Sequence, residues 1–189
     1  MIVRTIDLHL TLVRMRVVAA LKTIPDRRAW TRCALVYGIF LVCAFPIGLL
    51  TGLLQPGVAH VAPAIWLGTS AIVFVHPACV EEFIFRVLLL PRRPDAMPRG
   101  RLIAITLVAL ALYVVSHPLN AMLFRPDAAA VFERPAYLLI VALLGITCTA
   151  AYWISKSIWP PVAMHWLTVV LWLWLLGGYA LLSGRIPRT

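Results

Sequence analysis

Residues 73–90 read VFVHPACVEEFIFRVLLL, an apolar stretch holding two adjacent carboxylates, Glu81 and Glu82, with Arg86 four residues after the second. An ionisable side chain at mid-bilayer costs roughly 2.5–3.5 kcal/mol on insertion scales, so such groups are functional candidates by default. The whole chain has only seven acidic residues, and two of them stand side by side here. They call for partners.

The chain stays apolar on both sides of this stretch. Hydrophobic residues make up 62% of it and charged residues 13%, against about 25% charged in soluble domains. Five apolar runs stand out: Ala34 to about Leu54, about Val61 to Leu90, Leu102 to about Met122, Ala136 to about Ile154, and Pro161 to Leu182. About 20 apolar residues cross a bilayer core. The pattern predicts an all-α, polytopic membrane bundle of about five transmembrane helices. The second run is too long for one straight crossing, and Pro77 removes a backbone donor within it, so a break is predicted there; a re-entrant hairpin is the alternative. The domain reading is a basic amphipathic arm over 1–33, a helical bundle over 34–183 and a short tail over 184–189.

Arg4, Arg14, Arg16, Lys22, Arg27, Arg28 and Arg32 alternate with apolar residues in the arm. No continuous apolar core of a cleavable signal is present. A basic amphipathic helix on an anionic membrane face and a plain cytoplasmic tail both fit. Lys and Arg favour the cytoplasmic side. Seven precede the first run, none lies in 55–60, and Arg92, Arg93, Arg99 and Arg101 follow the second. Arg125 and Arg134 are balanced by Asp127 and Glu133, and Lys156 marks the next turn beside Trp153 and Trp159. This predicts a multi-pass cell-membrane protein with its N-terminus cytoplasmic and its C-terminus outside. Arg185 and Arg188 pull against the latter. The net charge of +10 is then a topology signal and not one for nucleic acid.

Cys33, Cys43, Cys79 and Cys148 show no paired spacing, which argues against a disulfide framework or zinc ribbon and for packing roles. Of the five histidines, His9 lies in the arm, His60 in a loop, and His76 beside the break, as a cap or cavity group. His117 ends the third run and His165 opens the fifth. Two membrane histidines and a carboxylate pair on three helices supply the groups for a general base, an acid and an oxyanion donor. Glu82 and Arg86, at i,i+4, share a face and are predicted to pair. Glu81 points about 100° away and is left as the carboxylate available for proton transfer. An ion pair that merely locks helices together is the plainer alternative.

Glu81, Glu82 and Arg86 together match the Glu-Glu-x-x-x-Arg motif of the CPBP family, the CAAX-prenyl-protease and bacteriocin-processing intramembrane endopeptidases. Tyr113 to His117 resembles that family's Phe-x-x-x-His motif, with Tyr for Phe. His165 resembles its third-motif His, although the Asn usual four residues later is Val169. The resemblance spans roughly residues 66–182, with the motifs in order. It implies a glutamate-type intramembrane protease in which Glu81 and His117 polarise water and His165 holds the oxyanion. Glu82 and Arg86 would organise these groups. A missing oxyanion donor is worth about 2.7–4 kcal/mol in a soluble protease, with Thr168 or Asn120 as substitutes. Counting helical rise from the inner helix ends, about 1.5 Å per residue, separates His117 from His165 in depth. Pro160 and Pro161 are expected to sink the last loop, and Pro118 to bend its helix.

Two rivals stay open. One Glu and two His resemble a zinc ligand set, but no His-Glu-x-x-His spacing is present and Arg86 competes for Glu82. A non-catalytic, immunity-like or scaffold protein is the other. Five helices without a repeat speak against a transporter. No cofactor is implied. The expected partners are the lipid bilayer and a membrane protein or peptide substrate; nothing in the sequence reads a lipidated tail.

Overall fold

The computed structural model describes residues 2–184, with side chains from residue 11 onward. Arg185 and Arg188 lie outside them, as does the side chain of His9. Nine α-helices are present among the described residues: α1 (Ile2–Lys22), α2 (Arg27–Leu50), α3 (Pro63–Val73), α4 (Val80–Glu82), α5 (Arg99–Phe124), α6 (Ala129–Phe132), α7 (Pro135–Ser155), α8 (Trp159–Leu175) and α9 (Gly178–Leu182). No strand forms among them; the one bridge joins Gly57 and Leu176. The protein is an all-helical bundle. Three helices, α2, α5 and α7, are long and apolar enough to cross a membrane. The apolar α8 and the broken segment 63–88 are the other two runs.

α2 starts seven residues before the apolar run does, because Asp26 caps it: its carboxylate accepts a 2.7 Å hydrogen bond from the Ala29 amide. Such a cap is worth about 1 kcal/mol. The second run breaks at His76, whose backbone is extended (φ −136°, ψ 115°) before Pro77. Wide π-helical turns, Phe74–Cys79 and Phe83–Leu88, flank α4 on either side. Turns of this kind recur at functional sites.

The fifth run departs from its predicted single helix. α8 stops at Leu175, Gly177 takes a left-handed φ of 81°, and α9 folds back. A Cβ on Gly178 would stand 2.6 Å from the Trp172 ring, so the two helices meet where only glycine fits. The orphan carbonyls of Trp174, Leu175 and Leu176 accept from the amides of Ala59, Gly57 and Gln55, as a buried helix end requires.

α1 closes one end of the bundle. Arg16 donates to the carbonyls of Leu88 and Leu90, beyond the glutamate helix. The Ile158 amide donates to the Ala20 carbonyl. The indoles of Trp159 and Trp153 donate to Leu21 and Pro91, and Arg92 reaches Thr23 and the Lys156 carbonyl. The segments 88–92 and 156–159 are thus gathered under α1, at the arm end. At the far end, Leu53 packs with Val131 and Leu181, and Arg134 donates to the Thr51 carbonyl.

Candidate active site

Three helices bring the five sequence-selected side chains together between these ends. Glu82, fully buried, is the hub. Its Oε2 lies 3.1 Å from Arg86 Nε, one turn on, at ion-pair distance but off line for a hydrogen bond. Its Oε1 lies 2.9 Å from His165 Nδ1 on α8. Glu82 therefore pairs with Arg86, as the i,i+4 spacing predicts, and also bridges to His165. Arg86 is held from its other side by the Tyr113 ring, 4.8 Å below the guanidinium carbon, a cation–π contact. The buried Cys148 thiol abuts both ions and bonds the Pro161 carbonyl.

Glu81, one residue away and round the helix, meets a different partner. Its Oε2 faces His117 Nε2 across 3.9 Å and has no hydrogen-bond partner among the described residues. The tautomer of His117 follows from its other nitrogen. Nδ1 sits 2.9 Å from the Tyr113 carbonyl, which only accepts, so Nδ1 carries the hydrogen. In the neutral ring Nε2 is then an acceptor, aimed at Glu81. The same logic makes His165 Nδ1 the donor to Glu82.

The depth mismatch between the two histidines is resolved at the arm end. The loop before α8 is sunk into the bundle, with Ser157 at 0% and Ile158 at 3% exposure. Pro160 and Pro161 begin the helix while buried, and proline at the first helical positions has no amide to leave unpaired. Tyr113 then touches both imidazoles, at 5.0 Å from the His117 ring and 6.2 Å from that of His165. α5 runs unbroken through Pro118.

A cavity of about 930 Å³ opens beside this cluster, with Glu81, His117, His165, Asn120, Thr168 and Val169 in its wall. Such a volume lies at the upper end of ligand pockets. Thr168 cannot stand in for the missing Asn as a donor, because its hydroxyl hydrogen goes to the Met164 carbonyl at 2.8 Å. The Tyr37 hydroxyl in turn donates to Thr168 Oγ1. Asn120 is the amide in the wall. His76 also lines the cavity, while exposed His60 does not.

A family model, type II CAAX prenyl endopeptidase Rce1-like, matches residues 63–171, more than half of the chain. The chain belongs to the Rce1-like family. That span runs from α3 to the last third of α8 and takes in all five of the clustered side chains. No curated protein and no solved structure matches the chain. Membership agrees with a membrane-embedded endopeptidase built from apolar helices. Within this Rce1-like site, two contributors escaped the sequence reading. Tyr137 lies 6.0 Å from the His117 ring, and Cys148 adjoins the ion cluster; neither differs by motif or spacing from an ordinary packing residue. Among the described residues no three His, Cys, Asp or Glu side chains form a metal-binding group.

Proposed function

We propose that the protein is an endopeptidase of the cell membrane in which Glu81 and His117 activate water and His165, held by Glu82, stabilises the oxyanion. The observation that carries this reading is the 3.9 Å gap between Glu81 Oε2 and His117 Nε2 in the cavity wall. Two acceptors at that separation suit one water donating to both. The water oxygen attacks the scissile carbonyl carbon while its proton passes to Glu81. Glu81 returns that proton to the leaving nitrogen as the C–N bond breaks. His165, with both ring nitrogens protonated, gives one hydrogen to Glu82 and the other to the oxyanion. Two carboxylates then balance Arg86 and one imidazolium, which suits a membrane interior. Val169 supplies no donor, so the Asn120 amide is the second oxyanion contact. The substrate is a membrane-embedded polypeptide.

The test starts by comparing, by mass spectrometry, the membrane peptides of cells carrying the wild type and Glu81→Gln. A peptide that accumulates in the variant becomes the substrate for purified protein in liposomes. Glu81→Gln should keep its melting temperature and lose about 10²–10⁴-fold in turnover, the usual contribution of a general base. Near wild-type cleavage by the variant would remove Glu81 from the mechanism.

A further inference from the structure

A second polar cluster lies at the arm end, in the seam between α1 and the segments 88–92 and 156–159. Its cations are Arg16, Arg92 and Lys156. The two guanidiniums are half-buried, and every bond they make is to a neutral oxygen: the carbonyls of Leu88, Leu90 and Lys156 and the Thr23 hydroxyl. The 3.2 Å bond from Arg92 Nε to the Lys156 carbonyl sets these two residues side by side. No carboxylate of the described residues stands within ion-pair distance of any of the three cations. Two further donors lack acceptors: Arg16 Nε and the hydroxyl of the fully buried Tyr152, on which both guanidinium charges act. A charge withdrawn from water ordinarily has a counter-charge, and donors without acceptors are costly. The seam lacks an anion.

The surroundings of the seam are apolar. On the outward face of α1, Met15, Val18 and Leu21 are exposed, interleaved with Arg14 and Lys22. A helix with such a mixed face suits the boundary between lipid headgroups and acyl chains. Trp159 and Trp153 are fixed at the same end by indole bonds to the Leu21 and Pro91 carbonyls, and tryptophan favours that interfacial level. A dissolved anion would match the charge of the seam but not this apolar collar.

We infer that the seam binds the phosphate of an anionic phospholipid, with Arg16, Arg92 and Lys156 as its cationic contacts and the acyl chains along the exposed apolar residues of α1. Guanidiniums hold phosphate oxygens through charge-assisted bonds, and basic pockets beside membrane helices take anionic headgroups. The lipid also acts on the fold. Arg16 holds the carbonyls of Leu88 and Leu90, at the end of the π-helical turn Phe83–Leu88 and just beyond it, so a lipid that fastens α1 fastens the glutamate segment as well. This site is separate from the cavity and stands whatever reaction the cavity performs.

Thermal unfolding of the purified full-length protein in detergent reads the binding without any catalysis. The probes are dioleoylphosphatidylglycerol, dioleoylphosphatidylcholine and inorganic phosphate, each titrated separately. Phosphatidylglycerol should raise the melting temperature, since a ligand that binds only the folded state stabilises it; the other two should leave it unchanged. Lys156→Gln removes an ammonium that pairs with no described carboxylate, so without lipid it should melt like the wild type. It should need about fivefold more phosphatidylglycerol for the half-maximal shift, the worth of one basic residue near an anionic lipid surface. Arg101→Gln, at an exposed cation on α5 outside the seam, should titrate like the wild type. Four outcomes overturn the inference: no shift with phosphatidylglycerol, an equal shift with phosphatidylcholine, an equal shift with inorganic phosphate, or equal weakening by Lys156→Gln and Arg101→Gln. The third would make the seam a site for a free anion, and the fourth would make the attraction diffuse.

Discussion

Glu81 and Glu82 are neighbours in the chain, yet they face opposite halves of the bundle and meet opposite fates. Glu82 faces the arm half, where every charge has been matched: Arg86 at 3.1 Å, His165 at 2.9 Å, Tyr113 beneath the guanidinium. Glu81 faces the cavity, where His117 Nε2 lies 3.9 Å away and its Oε2 accepts no hydrogen bond from the described residues. A buried polar atom without a partner costs about 1–3 kcal/mol; Glu82 Oε2 and Arg86 Nε also make no hydrogen bond, but they face each other as opposite charges at 3.1 Å, whereas Glu81 Oε2 has no such counter-ion. The lesson is a division of labour. Under the proposed mechanism the closed half holds geometry, and the open half keeps an acceptor free for chemistry.

That division can be broken from the closed side first. Arg86→Met leaves the Glu82 carboxylate with one partner fewer in a dry interior, and severing a buried pair costs about 3–5 kcal/mol. The expected result is a large fall in melting temperature and weak accumulation in the membrane. If Arg86→Met melts like the wild type, the ion cluster is not what holds this half together.

A smaller effect is expected where two helices touch behind the cluster. A Cβ added at Gly145 would come within 2.8 Å of Leu110 Cδ1 and 2.9 Å of Tyr113 Cδ1. Tyr113 is fully buried and supports both Arg86 and His117, so it cannot swing aside freely. Overpacking of this kind costs about 1–3 kcal/mol. Gly145→Ala should lower stability by that amount, read as a lower melting temperature, and reduce turnover as well, because His117 moves with the ring. Loss of stability alone would separate Tyr113 from the site.

A loss of similar size is expected at the arm. Arg16→Met removes two hydrogen bonds to carbonyls at the end of the glutamate segment, worth about 1.5–3 kcal/mol together at a partly buried site. Chemical denaturation of the purified protein reads the change. A larger loss than at Arg86 would make α1, not the ion cluster, the main fastening of the closed half.

Much of this was legible beforehand, for local reasons. Five apolar runs can be counted, and the Glu82–Arg86 spacing fixes a shared face within one helical turn. What was not legible depends on contacts far apart in sequence. The bond from His165 to Glu82 spans 83 positions, and no local rule announces it. Counting rise from helix ends misplaced the histidines, because it assumed that loops end at the membrane surface; Ser157 is fully buried instead. The stop of α8 at Leu175 was available in principle, since Gly177 and Gly178 follow closely, but apolar composition continued to Leu182 and masked the turn. The capping carboxylate of Asp26 lies outside the apolar run whose composition marks the helix. Tyr137 carries no sequence signal for its place beside His117.

Whether His117 and His165 form one site from two helices is most directly tested by turnover on a single membrane peptide. Wild type, His117→Ala, His165→Ala and the double variant would be compared, with melting temperatures alongside. If His117 helps to activate the water and His165 holds the oxyanion of the same transition state, each substitution alone removes most of the rate. The double variant is then little worse than the poorer single one, because residues acting as a unit are far from additive. Losses that multiply, in proteins that melt normally, would contradict a shared site.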